Sequence, residues 1–306
     1  MEDNHHYPSY IVDVFAEGKY GGNQLAVVRN GSSIGDGEMQ KLAREFNFSE
    51  TTFILSDREV MGGYDVRIFT PKEELPFAGH PTLGTAYVIQ KEILGRQVPS
   101  LVLNLKVGQI PVTFTYRQGG EPDLLWMKQV EPTFKETAPK KVIAEILGLD
   151  EGSLDESLPI QEVSTGVPTT IVPLKNLASV KKARIDRDKY FDFLKNHPAG
   201  KSILVFSRET YSKENDLNVR VFVEYFGIPE DPATGSGNGC LAAYLVKNRY
   251  FGKDRTSIEG IRVEQGYEIG RPSLLLLSSS EDERSGKISV RVGGRVQSVL
   301  RGELLL

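Results

Sequence analysis

A strand, an acidic loop and a small-residue helix occur twice along this chain, and this repeat most constrains its fold. The first copy contains the strand-like segment Val66–Thr70 and the sequence Phe77-Ala78-Gly79-His80-Pro81. The second contains Val219–Val223 and the sequence Asp231-Pro232-Ala233-Thr234-Gly235-Ser236, followed by a small, apolar and almost uncharged run. The two copies are separated by about half the chain, which predicts two similar domains rather than a solenoid of many short repeats.

Glycine at the start of each repeated helix, Gly79 and Gly235, suggests a place where the backbone approaches a ligand. Unpaired N–H groups at a helix start attract anions, and small-molecule sites favour domain interfaces. We therefore expect the two helix starts to point into one cleft, with Asp231 and Ser236 at an anion-sized pocket. The alternative is that each glycine-rich segment is a plain connection before a buried helix.

The halves on either side of a boundary near residues 128–135 are both rich in predicted strands, and each has one predominantly apolar helix. A curved sheet wrapped around a central helix would bury such a helix on all sides. The predicted class is α+β, with an N-terminal domain over residues 1–130 and a C-terminal domain over residues 131–306. The last strand of the second domain could return to the first.

Hydrophobic periodicity predicts the individual elements. Alternation indicates an antiparallel strand pair at Tyr10–Phe15 and Ala26–Val28, and three- and four-residue spacing indicates a helix over Asp36–Phe46. A strand over Thr51–Leu55 places Glu50 at a helix-to-strand junction. Helices are also predicted at Pro139–Leu147 and around Arg187–Lys195, and further strands at Leu101–Val107, Ile110–Tyr116, Leu124–Met127, Thr169–Val172, Ser202–Ser207, Ile261–Glu264, Ser273–Leu277, Lys287–Val292 and Val296–Leu300.

The composition argues against several function classes. The 306 residues include 37 Lys and Arg against 41 Asp and Glu, for a net charge of −4, which gives no support to nucleic-acid binding. The basic run 181–184 is interpreted as a solvated helix face. The chain contains no apolar run of the roughly 20 residues that span a bilayer, and its N-terminus lacks a signal-peptide core. With a single cysteine, no intrachain disulfide can form. We expect a soluble cytoplasmic protein.

Candidate chemistry centres on Glu50, His80, Asp231 and Ser236. His80 is the one histidine of four that lies in the repeat, and an imidazole suits proton transfer, although a lone histidine is more often structural. No spacing typical of metal ligands accompanies it. The glycines before Cys240 do not fit the dinucleotide fingerprint, and the sequence around Ser236 does not form a nucleophile elbow. This set of residues suits proton transfer on an anionic substrate without a cofactor.

Four motifs also carry a family resemblance. They are Asn47-Phe48-Ser49-Glu50-Thr51-Thr52-Phe53, the two helix-start sequences given above, and Gln265-Gly266-x-x-x-Gly270-Arg271-Pro272-Ser273. In this order they resemble the PhzF-like isomerases of phenazine biosynthesis. The resemblance implies two domains of the diaminopimelate epimerase-like fold, each a β-barrel-like sheet around a central helix, with the site in a cleft between them. It also implies a homodimer and cofactor-free isomerisation of a small carboxylate substrate like trans-2,3-dihydro-3-hydroxyanthranilate.

The same resemblance suggests roles for individual residues. The family's catalytic glutamate, which takes a proton from one ring carbon and returns one to another, matches Glu50. Its substrate-positioning histidine matches His80, and its aspartate and serine match Asp231 and Ser236. From position alone, Glu50 would instead be interpreted as an exposed polar residue at a strand edge.

Two other functions remain open at this point. Related epimerases and racemases use two thiols, each just before a helix-start glycine, but here Ala78 and Thr234 occupy those places. Cys240 lies within the apolar helix, where a buried structural thiol is expected. An amino-acid racemase or epimerase would therefore need altered bases. A protein that keeps the fold and binds a small ligand without turnover is the third possibility.

Overall fold

The structure is a computed structural model that describes residues 6–137, 139–197 and 200–306. Its contacts divide the chain into two compact units. The first comprises the chain up to Lys128 together with Gly293–Leu306, and the second comprises Gln129–Val292.

The strands are, in chain order, β1 (His6–Val14), β2 (Asn23–Val28), β3 (Glu50–Ile54), β4 (Tyr64–Phe69), β5 (Glu74–Leu75), β6 (Ser100–Leu105), β7 (Gly108–Tyr116), β8 (Pro122–Lys128), β9 (Thr133–Thr137), β10 (Gln161–Ser164), β11 (Pro168–Pro173), β12 (Ile203–Ser207), β13 (Leu217–Val223), β14 (Ile228–Asp231), β15 (Ser257–Gln265), β16 (Ser273–Glu281), β17 (Ile288–Gly294) and β18 (Val296–Leu305). The α-helices are α1 (Asp36–Phe46), α2 (Gly79–Val88), α3 (Lys140–Ile146), α4 (Leu177–Lys182), α5 (Arg187–Asn196) and α6 (Gly235–Lys247).

In the first unit the strands pair in the order β18, β1, β2, β3, β4, β6, β7 and β8. The β2–β3 and β4–β6 pairs are parallel, and the others are antiparallel. The short strand β5 pairs with β4 and leads into α2. The predicted antiparallel pairing of the first two strands is confirmed.

The second unit repeats this pattern with β9, β10, β11, β12, β13, β15 and β16. Its parallel pairs, β11–β12 and β13–β15, fall at the places equivalent to those of the first unit. The short strand β14 pairs with β13 and leads into α6, as β5 does before α2. The repeat seen around the two helices therefore extends through most of each unit's sheet.

Burial of the two repeated helices agrees with their composition. Every residue of α2 is buried, and in α6 only Ser236 and Lys247 are not. Glycine lets α2 lie close to β1 and β2, since a Cβ added at Gly84 would come within 2.6 Å of Leu25 Cδ2 and 2.8 Å of Val14 Cγ2. The prediction that each half buries its apolar helix on all sides is confirmed.

Some predicted elements shift by a few residues, and several short elements escaped prediction. The helix at Asp36–Phe46 has the predicted bounds, whereas β18 runs five residues beyond the predicted Leu300. In the basic run, Lys181 and Lys182 are exposed on α4 as expected, but Ala183 is buried beyond the helix end. The unpredicted elements are β5, β9, β10 and β14. Each is too short to show a clear period in its sequence.

Candidate functional site

Glu50 is the first residue of β3, and three residues separate it from the end of α1. Asn47 ends that helix in the left-handed conformation, with φ of 52°, which asparagine tolerates better than most residues. Strand β3 then runs parallel to β2 with Glu50 opposite Leu25. The Glu50 side chain is 15% exposed, so the carboxyl is largely withdrawn from water rather than lying on an open strand edge.

His80, the second residue of α2, lies beside this carboxyl. The Nε2 atom of His80 is 3.4 Å from Oε2 of Glu50, and the imidazole is 4% exposed. Burial lowers the pKa of His80 to about 3, although a hydrogen bond with the Gln24 backbone acts in the opposite direction. The imidazole is therefore neutral near pH 7, and its contact with Glu50 is not an ion pair. The structure thus brings together Glu50 and His80, which lie 30 positions apart in the sequence.

In the second unit, Asp231 ends β14 at the entry to α6 and is buried. Thr234, the residue before Gly235, donates a hydrogen bond of 2.6 Å from its hydroxyl to Oδ2 of Asp231. This bond closes the turn that connects β14 to the helix, because it joins residues three positions apart. Asp231 is thus held at the start of α6, as its place in the motif suggested.

Gln265 fixes this turn from β15, and sequence reasoning did not assign it a role. Its Oε1 accepts hydrogen bonds from the Thr234 backbone at 3.1 Å and from the Asn238 side chain at 2.8 Å. Its Nε2 donates to the Asp231 carbonyl at 2.8 Å and to the Thr234 hydroxyl at 3.0 Å. A buried amide with all of these bonds made specifies one arrangement of the loop. The sequence signal that could have indicated this role was the position of Gln265 at the start of the Gln-Gly motif.

Gly235 and Ser236 form the first turn of α6. The Gly235 carbonyl accepts a hydrogen bond of 2.9 Å from Nε2 of Gln129, whose Oε1 accepts one of 2.5 Å from Thr165. Ser236 is half-buried, while Gly79 at the equivalent start of α2 is fully buried. Gln129 and Thr165 are supporting residues that no motif in the sequence had indicated.

Thiol chemistry finds no support in the structure. Ala78 and Thr234 occupy the positions immediately before α2 and α6, and neither carries a thiol. Cys240 is fully buried within α6, and burial raises the pKa of its thiol. The prediction that Cys240 is buried is confirmed.

The described residues contain neither a cluster of metal ligands nor a membrane-spanning helix. Across residues 6–137, 139–197 and 200–306, no group of three or more His, Cys, Asp or Glu side chains is placed to hold a metal ion. Over the same ranges, no helix has the length and apolar character needed to cross a membrane.

Comparisons with known proteins agree with this architecture. A solved structure of a PhzF-family phenazine biosynthesis protein from Bacillus anthracis superposes with a TM-score of 0.88, at 31% identity over 99% of this chain and 100% of that one. A hydroxyproline epimerase from Agrobacterium vitis superposes with a TM-score of 0.63 at 13% identity, covering 100% and 94% of the two chains. The fold is therefore of the diaminopimelate epimerase-like class.

The sequence comparisons narrow that class to a family. Trans-2,3-dihydro-3-hydroxyanthranilate isomerase of Pseudomonas chlororaphis is 33% identical, over 99% of this chain and 100% of its own length. The family model for PhzC-PhzF, described as phenazine biosynthesis-like protein, matches residues 12–302. The chain belongs to this family and, like its relatives, is an isomerase.

Proposed function

We propose that the protein is a cofactor-independent isomerase that moves a proton between carbons of a small carboxylate substrate, with Glu50 as the single acid and base. The substrate class resembles trans-2,3-dihydro-3-hydroxyanthranilate, on which the Pseudomonas chlororaphis relative is named as acting. The observation that carries the proposal is the contact of 3.4 Å between Glu50 and His80. A carboxyl that both takes and returns a proton needs a partner that does not lock it in one charge state.

Neutral His80 meets that requirement. Its bond to the Gln24 backbone raises the imidazole pKa, so the imidazole donates there, and Nε2 faces Glu50 without donating to it. In this tautomer, Nε2 carries the lone pair and can accept a hydrogen bond from a protonated Glu50 carboxyl. A cationic histidine at the same distance would instead hold Glu50 as a carboxylate. His80 therefore orients the carboxyl and leaves it able to exchange its proton.

Substrate binding is assigned to the two helix starts. In this proposal, backbone N–H groups at Gly79 and His80 and at Gly235 and Ser236 hold the substrate carboxylate, because helix starts attract anions. Asp231, fixed by Thr234 and Gln265, accepts hydrogen bonds from donor groups of the substrate. The proposal needs both helix starts to serve one substrate molecule, which stays a prediction.

A racemase or epimerase with altered bases is less well supported. Such an enzyme needs a second base on the opposite face of its substrate, and the two thiol positions hold Ala78 and Thr234. The Thr234 hydroxyl is engaged with Asp231, and Cys240 is buried with a raised thiol pKa. We expect proton return by the carboxyl that removed the proton.

The test is deuterium uptake from heavy water, followed by NMR or mass spectrometry. The protein is incubated with trans-2,3-dihydro-3-hydroxyanthranilate and with a panel of small cyclic acids and amino acids. We expect uptake at a ring carbon, and the variant Glu50→Gln is expected to lower its rate by about 10²-fold or more, as loss of a general acid and base does.

Glu38→Gln is the matched control, because Glu38 is an exposed carboxylate of α1 paired with Lys41. Its uptake rate should equal that of the unmodified protein. Uptake that persists in Glu50→Gln would remove Glu50 from the mechanism. Exchange confined to the α-carbon of an amino acid, with inversion, would favour the racemase, and no uptake with any compound would favour a binding protein. Sedimentation velocity tests the accompanying expectation of a homodimer.

A further inference from the structure

A cavity of about 590 Å³ lies within the second unit. We call it the outer cavity, and its lining includes Ile185, Arg187, Phe222, Glu224, Glu230 and Glu268. Glu230 lines it from β14, whereas Asp231 is the next residue of that strand, and successive strand residues point to opposite faces. The outer cavity therefore shares no residue with the proposed active site.

The carboxylates around the outer cavity are not equally well paired with cationic groups. Arg220 is 3% exposed, and it donates to both carboxylate oxygens of Glu230 at 2.9 and 2.6 Å. The same guanidinium also donates to the backbone carbonyls of Val180 and Ala183 at 3.0 and 2.8 Å. The hydrogen bonds of Arg220 are thus directed to one carboxylate and to the backbone at the C-terminal end of α4.

Glu268 is the carboxylate near Arg220 to which that arginine donates no hydrogen bond. Its side chain is 8% exposed, and its Oε1 accepts a hydrogen bond of 2.9 Å from the Tyr211 hydroxyl. Its Oε2 makes no hydrogen bond within the described parts of the chain and lies 3.9 Å from Nε of Arg220. A buried carboxylate oxygen without a donor is costly unless a ligand supplies one.

The rest of the lining defines what that ligand would be. Ile185, Phe222 and Ile269 offer apolar contact. Glu224 is another buried carboxylate, and it pairs with Arg187 at 3.1 Å. Arg184 and Arg187 are exposed side chains of the same lining. The buried carboxylates thus favour a ligand with a cationic hydrogen-bond donor, such as an ammonium group. The exposed arginines favour a carboxylate on the same ligand.

We propose that the outer cavity binds a free amino acid as a zwitterion. Its ammonium donates to Glu268 Oε2, its side chain packs against Ile185 and Phe222, and its carboxylate pairs with Arg187. Polyamines lack the carboxylate and would meet two exposed arginines, so they fit less well. The site is independent of the isomerase reaction proposed above.

Isothermal titration calorimetry of the full chain with each proteinogenic L-amino acid, at millimolar concentration, tests this proposal. We expect at least one free amino acid to bind. Its N-acetyl derivative, which lacks the ammonium, and its amide, which lacks the carboxylate, should each bind about tenfold more weakly or not at all. Absence of binding by every amino acid would overturn the proposal, and so would equal binding of the N-acetyl derivative.

Two variants locate the binding. Glu268→Gln keeps the size of the side chain and its contact with Tyr211 but removes the charge, and we expect about tenfold weaker binding. Arg187→Gln removes the exposed guanidinium that also pairs with the buried Glu224, so its fold is checked by circular dichroism, and it should weaken binding several-fold. Glu259→Gln, at an exposed carboxylate of β15, is the matched control and should bind as the unmodified protein does. Affinity unchanged in both Glu268→Gln and Arg187→Gln would place the ligand elsewhere and refute the proposal.

Discussion

The two units have the same strand pairing but differ in the residues that occupy equivalent positions. Thr51 lies opposite Phe69 in the first unit, and Ile203 lies opposite Phe222 in the second. The residues just before them, Glu50 and Ser202, are therefore counterparts. Each unit thus offers the same place at the start of a strand, but only the first unit fills it with an ionisable group.

The starts of α2 and α6 also differ in the residues that they carry. His80 and Ser236 are counterparts in the repeat, and His80 contacts Glu50. In the second unit, Gln265 binds the turn before α6, whereas the residue at its place on β6 is Leu105, which has no hydrogen-bonding side chain. The first unit thus carries the residues proposed for proton transfer, and the second carries a polar network that holds Asp231.

Both units contain an equivalent arginine–glutamate pair. Arg67 donates two hydrogen bonds of 2.8 Å to Glu74, and Arg220 binds Glu230 in the same bidentate manner. Arg67 also lies 5.1 Å from the ring of Phe69, and Arg220 lies 4.8 Å from that of Phe222. Burial separates the two pairs, because the Arg67 side chain is 22% exposed and that of Arg220 only 3%.

The largest predicted effect comes from removing the arginine of this shared pair in each unit. Arg220→Met should lower the free energy of unfolding by about 3–5 kcal/mol, because it leaves the Glu230 carboxylate buried without its cation. Arg67→Met should cost about 1–2 kcal/mol, since Glu74 also pairs with Lys106 at 2.6 Å and water reaches the site. Urea unfolding of both variants measures the difference, and equal losses would show that burial does not distinguish the pairs.

Sequence alone was sufficient for the repeat, since strand periodicity and small-residue helices are local signals. It was also sufficient to single out Glu50 and His80, through their motifs. It could not show that Gln265 and Gln129 hold the start of α6, because their partners lie 31 and 106 residues away along the chain. Contacts of that kind depend on strand pairing, which the local pattern does not encode.

The neutrality of His80 was likewise beyond the sequence. A histidine beside a glutamate is ordinarily expected to be cationic, and only the burial of α2 on all sides reverses this. The outer cavity was unpredictable for a similar reason. Glu268 lies between two glycines in a turn sequence that looks exposed, but its side chain is buried beside Tyr211 and Arg220, which are distant in the sequence.

The second prediction compares glycines inside the two central helices. A Cβ at Gly239 would collide with the Gln129 amide, which bonds both Gly235 and Thr165, so Gly239→Ala should destabilise by about 2 kcal/mol. At Gly84 the neighbours are the ends of apolar side chains, and the better helix propensity of alanine offsets part of the strain, for a net cost of about 1 kcal/mol or less. Thermal unfolding compares the two, and a larger loss at Gly84 would contradict this account.

The third prediction concerns the pH dependence of stability that follows from the lowered pKa of His80 in the first unit. The folded pKa of His80, about 3, lies below the ordinary histidine pKa of 6.5. Between these values the unfolded chain binds a proton that the folded chain does not, so stability falls as the pH is lowered through this window. The contribution is at most about 1.4 kcal/mol per pH unit.

His80→Asn removes this contribution, because asparagine does not titrate. The free energy of unfolding, measured by urea at several pH values between 4 and 7, should therefore fall less steeply with acid in the variant than in the unmodified protein. Parallel profiles would mean that His80 titrates alike in both states, and hence that it is not the buried neutral imidazole described here.

The smallest predicted effect concerns Ser202, the counterpart of Glu50. Its hydroxyl accepts a single long hydrogen bond of 3.4 Å from Thr169, so Ser202→Ala should cost about 1 kcal/mol or less in unfolding free energy. Deuterium uptake should stay within about twofold of the unmodified rate, against a loss of about 10²-fold or more in Glu50→Gln. A Ser202→Ala variant that folds normally but loses uptake would show that the second unit also takes part in proton transfer, and the division of labour between the two units would have to be abandoned.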